Sequence, residues 1–530
     1  MAQSDSPDQR VVNPTQAPSP EPPPVGAQTA NKPNRPVSPV TVAPVEPQPK
    51  AQPQTVVVPT GLELQPESNT VNVPLANNQT EKSPPSTIIQ PQPKSSGGIM
   101  RIIWILIVVG IIAGIGWAVA KLALPFLGNL QPVTITYWGL WENDAIIKPI
   151  ITDFESKNPK IKVEYVSSSH RQYRERLTAA INRGEGPDVF RFHNTWVPML
   201  VNILDTVPAE IMSVSAFSSA FYPIAASDLI SGSRIYGIPL MIDGLGLYIN
   251  EDLFTASGAS VPSTWEEVLA LVPLLTVKEG ESITTSAIAL GTTANIDHFS
   301  DIVAVMMLQN GVRLSSPTGT EAEEALIFYR KFADPADPVY TWNETLDNSV
   351  YAFAVGRVAM ILAPSWRAFD IKQINPDLKF KIAPIPQLPG KSVTWASYWV
   401  EGVSDKSQYK QQAWQFVKFL SESETLTKLY SEESKYRLFG EPYSRVDMAE
   451  FLENDPYTEA FVSQARDAKS FPLASRTHDN GLNDRLAKYL EDAVNSVIAG
   501  SAPSEALSKM SSGFTQIFSQ YGLTTSAVQQ

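Results

Sequence analysis

The longest apolar run of the chain covers residues 102–120, where nineteen consecutive residues carry no charge between Arg101 and Lys121. As a helix at about 1.5 Å per residue it would be about 28 Å long, close to the roughly 30 Å hydrocarbon core of a bilayer. A tryptophan lies near each end, where such a ring suits the membrane interface. A buried helix of a soluble core is disfavoured, because core helices of this length seldom lack charge on every face. The pattern predicts one transmembrane anchor helix within residues 99–127.

After residue 130 the pattern changes to short alternating stretches separated by helical stripes. Strand-type patterns occupy residues 133–137, 161–165 and 188–190, with helical stripes at 146–154 and 173–181. Five elements of this order within about 60 residues predict a right-handed parallel α/β unit.

The same texture continues to the end of the chain. Further strands are predicted at 235–239, 245–249, 358–362 and 395–400, and further helices from a capping box at Ser263–Glu266, at 302–309, 321–332, 413–420 and 482–498. About 400 residues of α/β pattern exceed the size at which one core stops growing. Two lobes are therefore expected, with a ligand site between them.

The region before the apolar run differs in composition. Residues 1–98 hold 21 of the 44 prolines and show no helical or alternating pattern, which predicts a disordered, Pro-rich N-terminal region. The apolar run begins too deep in the chain for a cleaved secretory signal. Lys94 and Arg101 precede it and Lys121 follows, and this small excess favours a cytoplasmic N-terminus. The expected location is the cell membrane, crossed once, with the later residues extracytoplasmic.

Charge and cysteine content exclude several classes of partner. Residues 1–129 carry eight basic and seven acidic residues, so with a total of −13 the remainder carries −14. This acidity argues against nucleic acid, because phosphate contacts need a basic face. The sequence has no cysteine, which excludes disulfides, thiolate metal sites, a cysteine nucleophile and a lipid-modified cysteine within it.

Signatures of catalysis are missing as well. The four histidines, at positions 170, 193, 298 and 478, show no metal-binding spacing, and there is no GxSxG, P-loop or GxGxxG motif. We therefore expect no catalytic residue, no metal, no cofactor and no enzyme. A glycan-cleaving enzyme with a carboxylate pair drawn from Glu142, Asp243 and Asp297 is the least favoured alternative.

Eight motifs in a fixed order resemble the extracellular solute-binding proteins of ABC importers, the family that includes maltose- and other sugar-binding proteins. They are ITYWGLWEN at 135–143, FESKNPKIKVEY at 154–165, GEGPDVF at 184–190, YGIPLMIDGLGLYINEDLF at 236–254, PSTWEEVLAL at 262–271, FAVGRVAMILAPSW at 353–366, APIPQLPG at 383–390 and AWQFVKFL at 413–420. The resemblance spans about residues 131–520. It implies a two-lobed, periplasmic-binding-protein-like (type II) α/β fold with a hinge.

The resemblance also implies the limits of the lobes. Lobe 1 would comprise 131–241 and 394–441, lobe 2 would comprise 246–390 and 442–515, and 516–530 would be a tail. The chain would cross between the lobes near Met241–Leu245, Pro386–Thr394 and Glu441–Tyr443.

The implied function is a membrane-tethered binding protein, monomeric in its folded part, that captures a ligand for an ABC permease. A carbohydrate is the expected ligand, and a peptide, a polyamine or glycerol phosphate stays open. A sensor or surface receptor of the same fold is the main alternative.

Sugars present hydroxyl edges and C–H faces, so a site for them needs aromatic rings together with polar side chains. The turns after the predicted strands supply both, and ligands of open α/β sheets lie at the carboxyl ends of strands. The candidate ligand-binding residues are Trp138, Trp141, Glu142, His193, Asn194, Trp196, Asp243, Asp297, Trp366, Arg367, Trp395 and Trp399.

Three of these residues have alternative roles, and two neighbouring positions differ from the maltose-binding pattern. Trp138 can equally be a core residue, Trp141 a surface residue and Asp297 a helix N-cap. Phe192 and Thr195 depart from the maltose-binding pattern, which has a tryptophan and an acid there, and this argues against maltose itself.

Overall fold

The computed structural model describes residues 97–128 and 132–524. The predicted Pro-rich region lies outside these residues except for its last two positions. Helix α1 covers Gly97–Gly128. Within the described residues, no helix has both the length and the apolar character needed to cross a membrane. The transmembrane helix within 99–127 thus stays a prediction.

The described residues from 132 onward alternate between short strands and helices. The strands are β1 Val133–Gly139, β2 Ile161–Ser167, β3 Val189–His193, β4 Ile230–Ser231, β5 Arg234–Ile235, β6 Ile238–Pro239, β7 Gly246–Asn250, β8 Val277–Glu279, β9 Ser282–Ile288, β10 Val358–Ala363, β11 Phe380–Ala383, β12 Thr394–Trp395, β13 Trp399–Val403 and β14 Ala468–Lys469. The helices are α2 Asp144–Lys157, α3 Tyr173–Arg183, α4 Val197–Leu200, α5 Val214–Ala220, α6 Pro223–Leu229, α7 Glu251–Ser257, α8 Trp265–Leu275, α9 Phe299–Gln309, α10 Thr320–Lys331, α11 Ser349–Ala354, α12 Arg367–Ile374, α13 Lys410–Leu420, α14 Ser423–Glu433, α15 Glu459–Gln464, α16 Leu482–Ile498 and α17 Pro503–Gln520.

Lobe 1 is built on a five-stranded sheet in the order β2-β1-β3-β13-β6. Strand β1 pairs in parallel with both β2 and β3, which confirms the predicted parallel unit. Strand β13 arrives from far along the chain and lies antiparallel between β3 and β6. The core of this lobe contains Ile135, Leu177, Phe190, Val400 and Trp414.

Lobe 2 is built on a second five-stranded sheet in the order β11-β7-β10-β9-β8. Strand β10 is parallel to β9 and antiparallel to β7, so this sheet is mixed. Its core is a separate cluster that contains Leu247, Ile288, Val303, Met360 and Leu490. Two sheets with two cores confirm the predicted two-lobed α/β architecture.

The C-terminal lobe limits differ from those expected. Tyr443, Met448 and Leu452 pack in the core of lobe 1, although they fall in the segment assigned to lobe 2. At the other end α17 continues past residue 515, because Ile517 and Phe518 are buried in the core of lobe 2. The amphipathic stripe of this last helix thus carries the lobe beyond its expected limit.

A strand predicted at 395–400 is wrong. Strand β12 ends at Trp395 and β13 begins at Trp399, because the backbone between them changes partner. The amide of Ala396 donates to the Lys469 carbonyl at 2.8 Å, and the amide of Ser397 donates to the Asp243 carbonyl at 2.9 Å. The chain passes from one lobe to the other at this point, so simple alternation does not hold across it.

The capping box that opens α8 lies one residue later than expected. Thr264, rather than Ser263, accepts from the backbone amide of Glu267, and the Glu267 carboxylate accepts from the Thr264 amide in return. Glu267 also accepts from Ser263, which explains why both registers look favourable in the sequence.

Gly244 lies where two crossing segments touch. It forms an isolated β-bridge with Ala396. A Cβ atom at Gly244 would lie 1.8 Å from the carbonyl oxygen of Trp395, far inside any non-bonded contact distance. Only glycine therefore allows these two backbones to approach so closely.

Gly244→Ala should lower the free energy of unfolding by about 3 kcal/mol, because backbone atoms that must move aside belong to both lobes. Urea unfolding followed by tryptophan fluorescence measures the change. Gly258→Ala is the control, since Gly258 has a φ of 68° but open space around it. It should cost only about 1–2 kcal/mol from its backbone conformation. Equal costs for the two variants would show that the contact at Gly244 does not constrain the crossing.

Candidate binding cleft

A cleft of about 490 Å³ opens between the two lobes. Lobe 1 contributes the turn after β1, the end of β3 and the start of β13, whereas lobe 2 contributes the segment after β10. Residues of the first crossing and of the loop at 437–442 close its floor and side. The carboxyl ends of β1, β3 and β10 thus meet at one place, as expected for open α/β sheets.

Aromatic rings form the lobe 1 wall of the cleft. Trp141 is 42% exposed, and its ring stacks on His170 with centroids 5.5 Å apart. Trp399 meets Trp141 edge-to-face at 5.8 Å. Behind it, Trp196 and His193 meet Trp399 edge-to-face at 5.4 and 5.2 Å. The wall is therefore a pre-packed group of rings rather than a single exposed side chain.

The opposing wall in lobe 2 centres on Trp366. Its ring is half-buried, with the guanidinium of Arg367 4.2 Å from the ring centre and His298 edge-on at 5.7 Å. Arg367 donates through Nε to Nε2 of His298 at 3.0 Å and pairs with Asp297 and Asp370. The position of the Trp366 ring is thus fixed by charged neighbours that are themselves paired.

Asp243 lies buried at the first crossing, on the floor of the cleft. Its carboxylate accepts from the Gly244 amide at 2.8 Å, the Ser365 amide at 3.1 Å and the Ser365 hydroxyl at 2.9 Å. Burial raises the pKa of Asp243 to about 7, although these hydrogen bonds oppose the rise. Asp243 thus links the crossing to the loop that carries Trp366.

All four histidines border the cleft. Burial lowers the pKa of His193 to about 3, and burial together with Arg367 places the pKa of His298 well below its ordinary value. The Arg367 donor also requires a neutral His298, which then donates through Nδ1 to the Ser475 hydroxyl at 2.7 Å. Neutral imidazoles offer both a donor and an acceptor and present an uncharged ring.

Six of the twelve candidate residues line the cleft, and they come from both lobes. They are Trp141, His193, Asp243, Trp366, Arg367 and Trp399.

The other six lie outside the cleft lining, each for a visible reason. Trp138 is half-buried against the lobe 1 core, and Trp196 lies within that core, behind Trp399. Asn194 is buried and holds the backbone of Tyr398 and the carboxylate of Asp228. Trp395 is buried in lobe 2, where its indole donates to Asp301 at 2.8 Å.

The two remaining acids are held in ion pairs. Asp297 pairs with Arg367 and Arg476, and it is not the cap of α9, whose N-terminal flanking residue is His298. Glu142 is 2% exposed and pairs with Arg191 at 2.9 Å. Both carboxylates therefore bind arginine side chains instead of facing the cleft.

The two departures from the maltose-binding pattern are also internal. Phe192 and Thr195 are buried, and Thr195 bonds to His193 at 2.8 Å and to Asn483 at 2.7 Å. Neither side chain lines the cleft, and Thr195 adjoins it only through its hydrogen bond to His193.

Several cleft residues carry no sequence signal of their own. His170, His478, Phe439 and Glu441 all line the cleft from irregular segments. Their positions depend on how loops distant in sequence meet, and the hydrophobic periodicity of a sequence does not indicate such contacts. The small number of histidines, four in the whole sequence, is the only sequence feature that sets His170 and His478 apart.

The loop at 476–480 carries unusual backbone conformations. Arg476, His478 and Asn480 have φ values of 58°, 52° and 45°, in the left-handed region that non-glycine residues seldom adopt. On the lobe 2 side Arg476 pairs with Asp297, and on the lobe 1 side Arg174 donates to the Asp479 carbonyl at 2.6 Å. The loop thus contacts both lobes beside the cleft.

Asp243 leads to a prediction about stability and pH. Its folded pKa of about 7 exceeds the ordinary value of 3.8, so between these values the folded protein holds a proton that the unfolded chain has released. The free energy of unfolding should therefore fall as pH rises from about 4 to 7. Asp243→Asn keeps the shape and should reduce this slope by up to about 1.4 kcal/mol per pH unit.

Urea unfolding at several pH values measures the slope. Asp377→Asn, at an exposed position, is the control and should leave it unchanged. Asp301, whose pKa burial raises to about 6, accounts for part of the slope that remains. An unaltered slope in Asp243→Asn would show that this carboxyl is already ionised in the folded protein.

The comparisons with known proteins agree with this geometry. Residues 138–425 match the family described as bacterial extracellular solute-binding protein. A relative named multiple sugar-binding protein, from Streptococcus mutans, is 27% identical over 317 residues, which cover 56% of this chain and 73% of the relative.

Solved structures show the same fold. The cyclo/maltodextrin-binding protein complexed with maltotetraose gives a TM-score of 0.60 at 18% identity and covers 73% of this chain and 98% of its own. The sugar-binding protein MalE of Xanthomonas citri gives a TM-score of 0.61 at 20% identity, with the same two coverages of 73% and 98%.

The family match covers more than half of the chain, and the two-lobed fold agrees with it. The relatives and the similar structures are binding proteins rather than enzymes, in agreement with the prediction from sequence. This chain therefore belongs to the bacterial extracellular solute-binding protein family.

Proposed function

We propose that this protein binds a carbohydrate between its lobes and delivers it, chemically unchanged, to the permease of an ABC importer. The observation that carries the proposal is the pairing of ring walls across one cleft. Trp141 and Trp399 face it from lobe 1, and Trp366 faces it from lobe 2. Sugar rings expose C–H faces that pack on aromatic rings, and their hydroxyl edges need mixed donors and acceptors.

Two charged residues that line the cleft, Arg367 and Asp243, already have partners within the protein. Arg367 is paired with Asp297 and Asp370, and the Asp243 carboxylate already accepts three hydrogen bonds. Redirecting Arg367 to an anionic ligand would break its ion pair with Asp297, in which both side chains are only 11% exposed, and breaking a buried ion pair is costly. This supports a neutral sugar over an anionic ligand such as glycerol phosphate.

The relatives support the same class of ligand. The Streptococcus mutans relative is named for binding multiple sugars, and one similar structure contains maltotetraose. Because their identity to this chain is low, they support a carbohydrate as the class of ligand and do not indicate which carbohydrate is bound.

We also propose that residues 102–120 tether the receptor to the cell membrane, with residues 1–98 cytoplasmic and the lobes outside. The uncharged sequence of this run supports the tether, and the cysteine-free sequence offers no site for a thiol-linked lipid. A tether keeps the receptor close to its permease and so raises its effective concentration there.

Calorimetry of the full-length protein against a panel of neutral mono- and oligosaccharides tests the binding proposal. At least one glycan should bind and be recovered intact. Trp366→Ala should then weaken binding about tenfold to a hundredfold, because loss of a packed ring face removes about 1.5–3 kcal/mol. Phe451→Ala, whose side chain is 62% exposed away from the cleft lining, is the matched control and should bind normally. No binding across a broad glycan array would refute a sugar ligand, and product release would indicate an enzyme.

Deletion of residues 102–120 tests the tether. The full-length protein should stay with membranes after an alkaline wash, whereas the deletion variant should be released. Its affinity for the glycan found above should stay within about twofold. The run contains no ionisable residue, which is the kind of residue that marks a functional site inside a membrane span. A large loss of affinity would show that the run contributes to the receptor itself.

A further inference from the structure

A buried group of charges lies beside the cleft, between the turn after β1 and the loop at 437–442. We call it the glutamate cluster; its members are Glu142, Arg191, Glu401, Glu433, Arg437 and Glu441. The four glutamate side chains are between 0% and 9% exposed. They come from three parts of the chain, namely the turn after β1, strand β13, and the end of α14 with the loop that follows it, so no single sequence motif contains them.

The charges of the cluster do not balance. Arg191 pairs with Glu142, Glu401 and Glu441, and Arg437 pairs with Glu433. Four carboxylates and two guanidinium groups sum to −2. An uncompensated buried charge costs several kcal/mol, so two positive charges are needed to complete the cluster. Two protons or one divalent cation would supply them.

The oxygen geometry favours a single ion. One carboxylate oxygen each from Glu142, Glu433 and Glu441 lies within 4.8 Å of the other two. Oxygen ligands lie about 2.3–2.6 Å from a bound Ca²⁺, so two ligands of one ion can be up to about 5 Å apart. The three oxygens are therefore close enough together to share one ion.

Two buried oxygens in the same three residues independently indicate a missing ligand. Glu433 Oε2 accepts from the Glu441 amide at 2.6 Å, and Glu441 Oε1 accepts from Arg191 at 3.1 Å. Among the described residues, Glu433 Oε1 and Glu441 Oε2 have no hydrogen-bond partner although both atoms are buried. A buried carboxylate oxygen without a partner carries its full desolvation cost, which a cation would remove.

We propose that Glu142, Glu433 and Glu441 bind one divalent cation, for which Ca²⁺ is the best chemical match. The donors are all carboxylate oxygens, which suit hard cations, whereas Zn²⁺ prefers histidine and cysteine. Ca²⁺ tolerates the irregular geometry of three residues from distant segments, and water completes its shell. The expectation of no metal site rested on histidine spacing and missing cysteines, which carboxylate ligands do not require.

The site would link functional parts of the receptor. Glu142 follows Trp141 directly, and Glu441 belongs to the loop at 437–442 and itself borders the cleft. A bound ion would therefore fix the ring wall of lobe 1 against that loop. This inference does not depend on which ligand occupies the cleft.

Calorimetry and thermal unfolding of the chelator-treated full-length protein, with CaCl₂ as the probe, test the site. Ca²⁺ should bind with a stoichiometry of one and raise Tm. Glu433→Gln keeps the side-chain shape and should weaken binding at least about tenfold, since it removes one charged ligand. Glu424→Gln lies on the same helix with its side chain 89% exposed and should bind Ca²⁺ normally.

Terbium luminescence gives a second readout that does not need a variant to fold. The Tyr165 hydroxyl donates to the Glu142 carbonyl at 2.6 Å, so excitation of tyrosine should sensitise Tb³⁺ bound in the cluster, and Ca²⁺ should quench the signal. The proposal is overturned if millimolar Ca²⁺ neither raises Tm nor displaces Tb³⁺, because protons then supply the missing charge. It is equally overturned if a folded Glu433→Gln variant binds Ca²⁺ like the wild type, which would place the ion elsewhere.

Discussion

The contact between Gly244 and the backbone at Trp395 and Ala396 constrains how the two lobes are connected. Gly244 and the Trp395 carbonyl approach so closely that the first two crossing segments behave as one joint. Each lobe has its own core, and this joint connects the two. Asp243 lies next to this contact and accepts a hydrogen bond from Ser365 in lobe 2. The floor of the cleft is thereby connected to the loop that carries Trp366.

Preorganisation is the common feature of the cleft. Rings that face the cleft are backed by other rings, as Trp196 backs Trp399, and Arg367 is paired with Asp297 before any ligand arrives. Little side-chain entropy then remains to be lost on binding, which raises affinity without new contacts. This arrangement buries ionisable groups such as Asp243 and His193. Burial raises the pKa of Asp243 and lowers the pKa of His193, and both shifts favour the neutral form of the side chain.

Local pattern predicted the local structure well and the site only in part. Alternation and helical stripes indicated β1 to β3 and their parallel pairing, because neighbours in that unit are close in sequence. Trp366 and Arg367, which follow the buried strand β10 by three and four residues, also line the cleft as expected. Glu142 looked equally exposed in its turn, but its partner Arg191 comes from another strand, and this pairing decides its burial. A pattern along the chain cannot show such a partner, nor the meeting of His170 with His478 at 4.8 Å.

The loop with three left-handed residues has a consequence for how fast the lobes can separate. Each such non-glycine residue stores roughly 1 kcal/mol of conformational strain, which persists only while Asp297 on one side and Arg174 on the other hold the loop. Breaking either contact would let these residues return to ordinary backbone conformations, so this strain favours separation of the lobes. For a ligand held between the lobes, such strain lowers the equilibrium affinity and shortens the time for which the ligand stays bound.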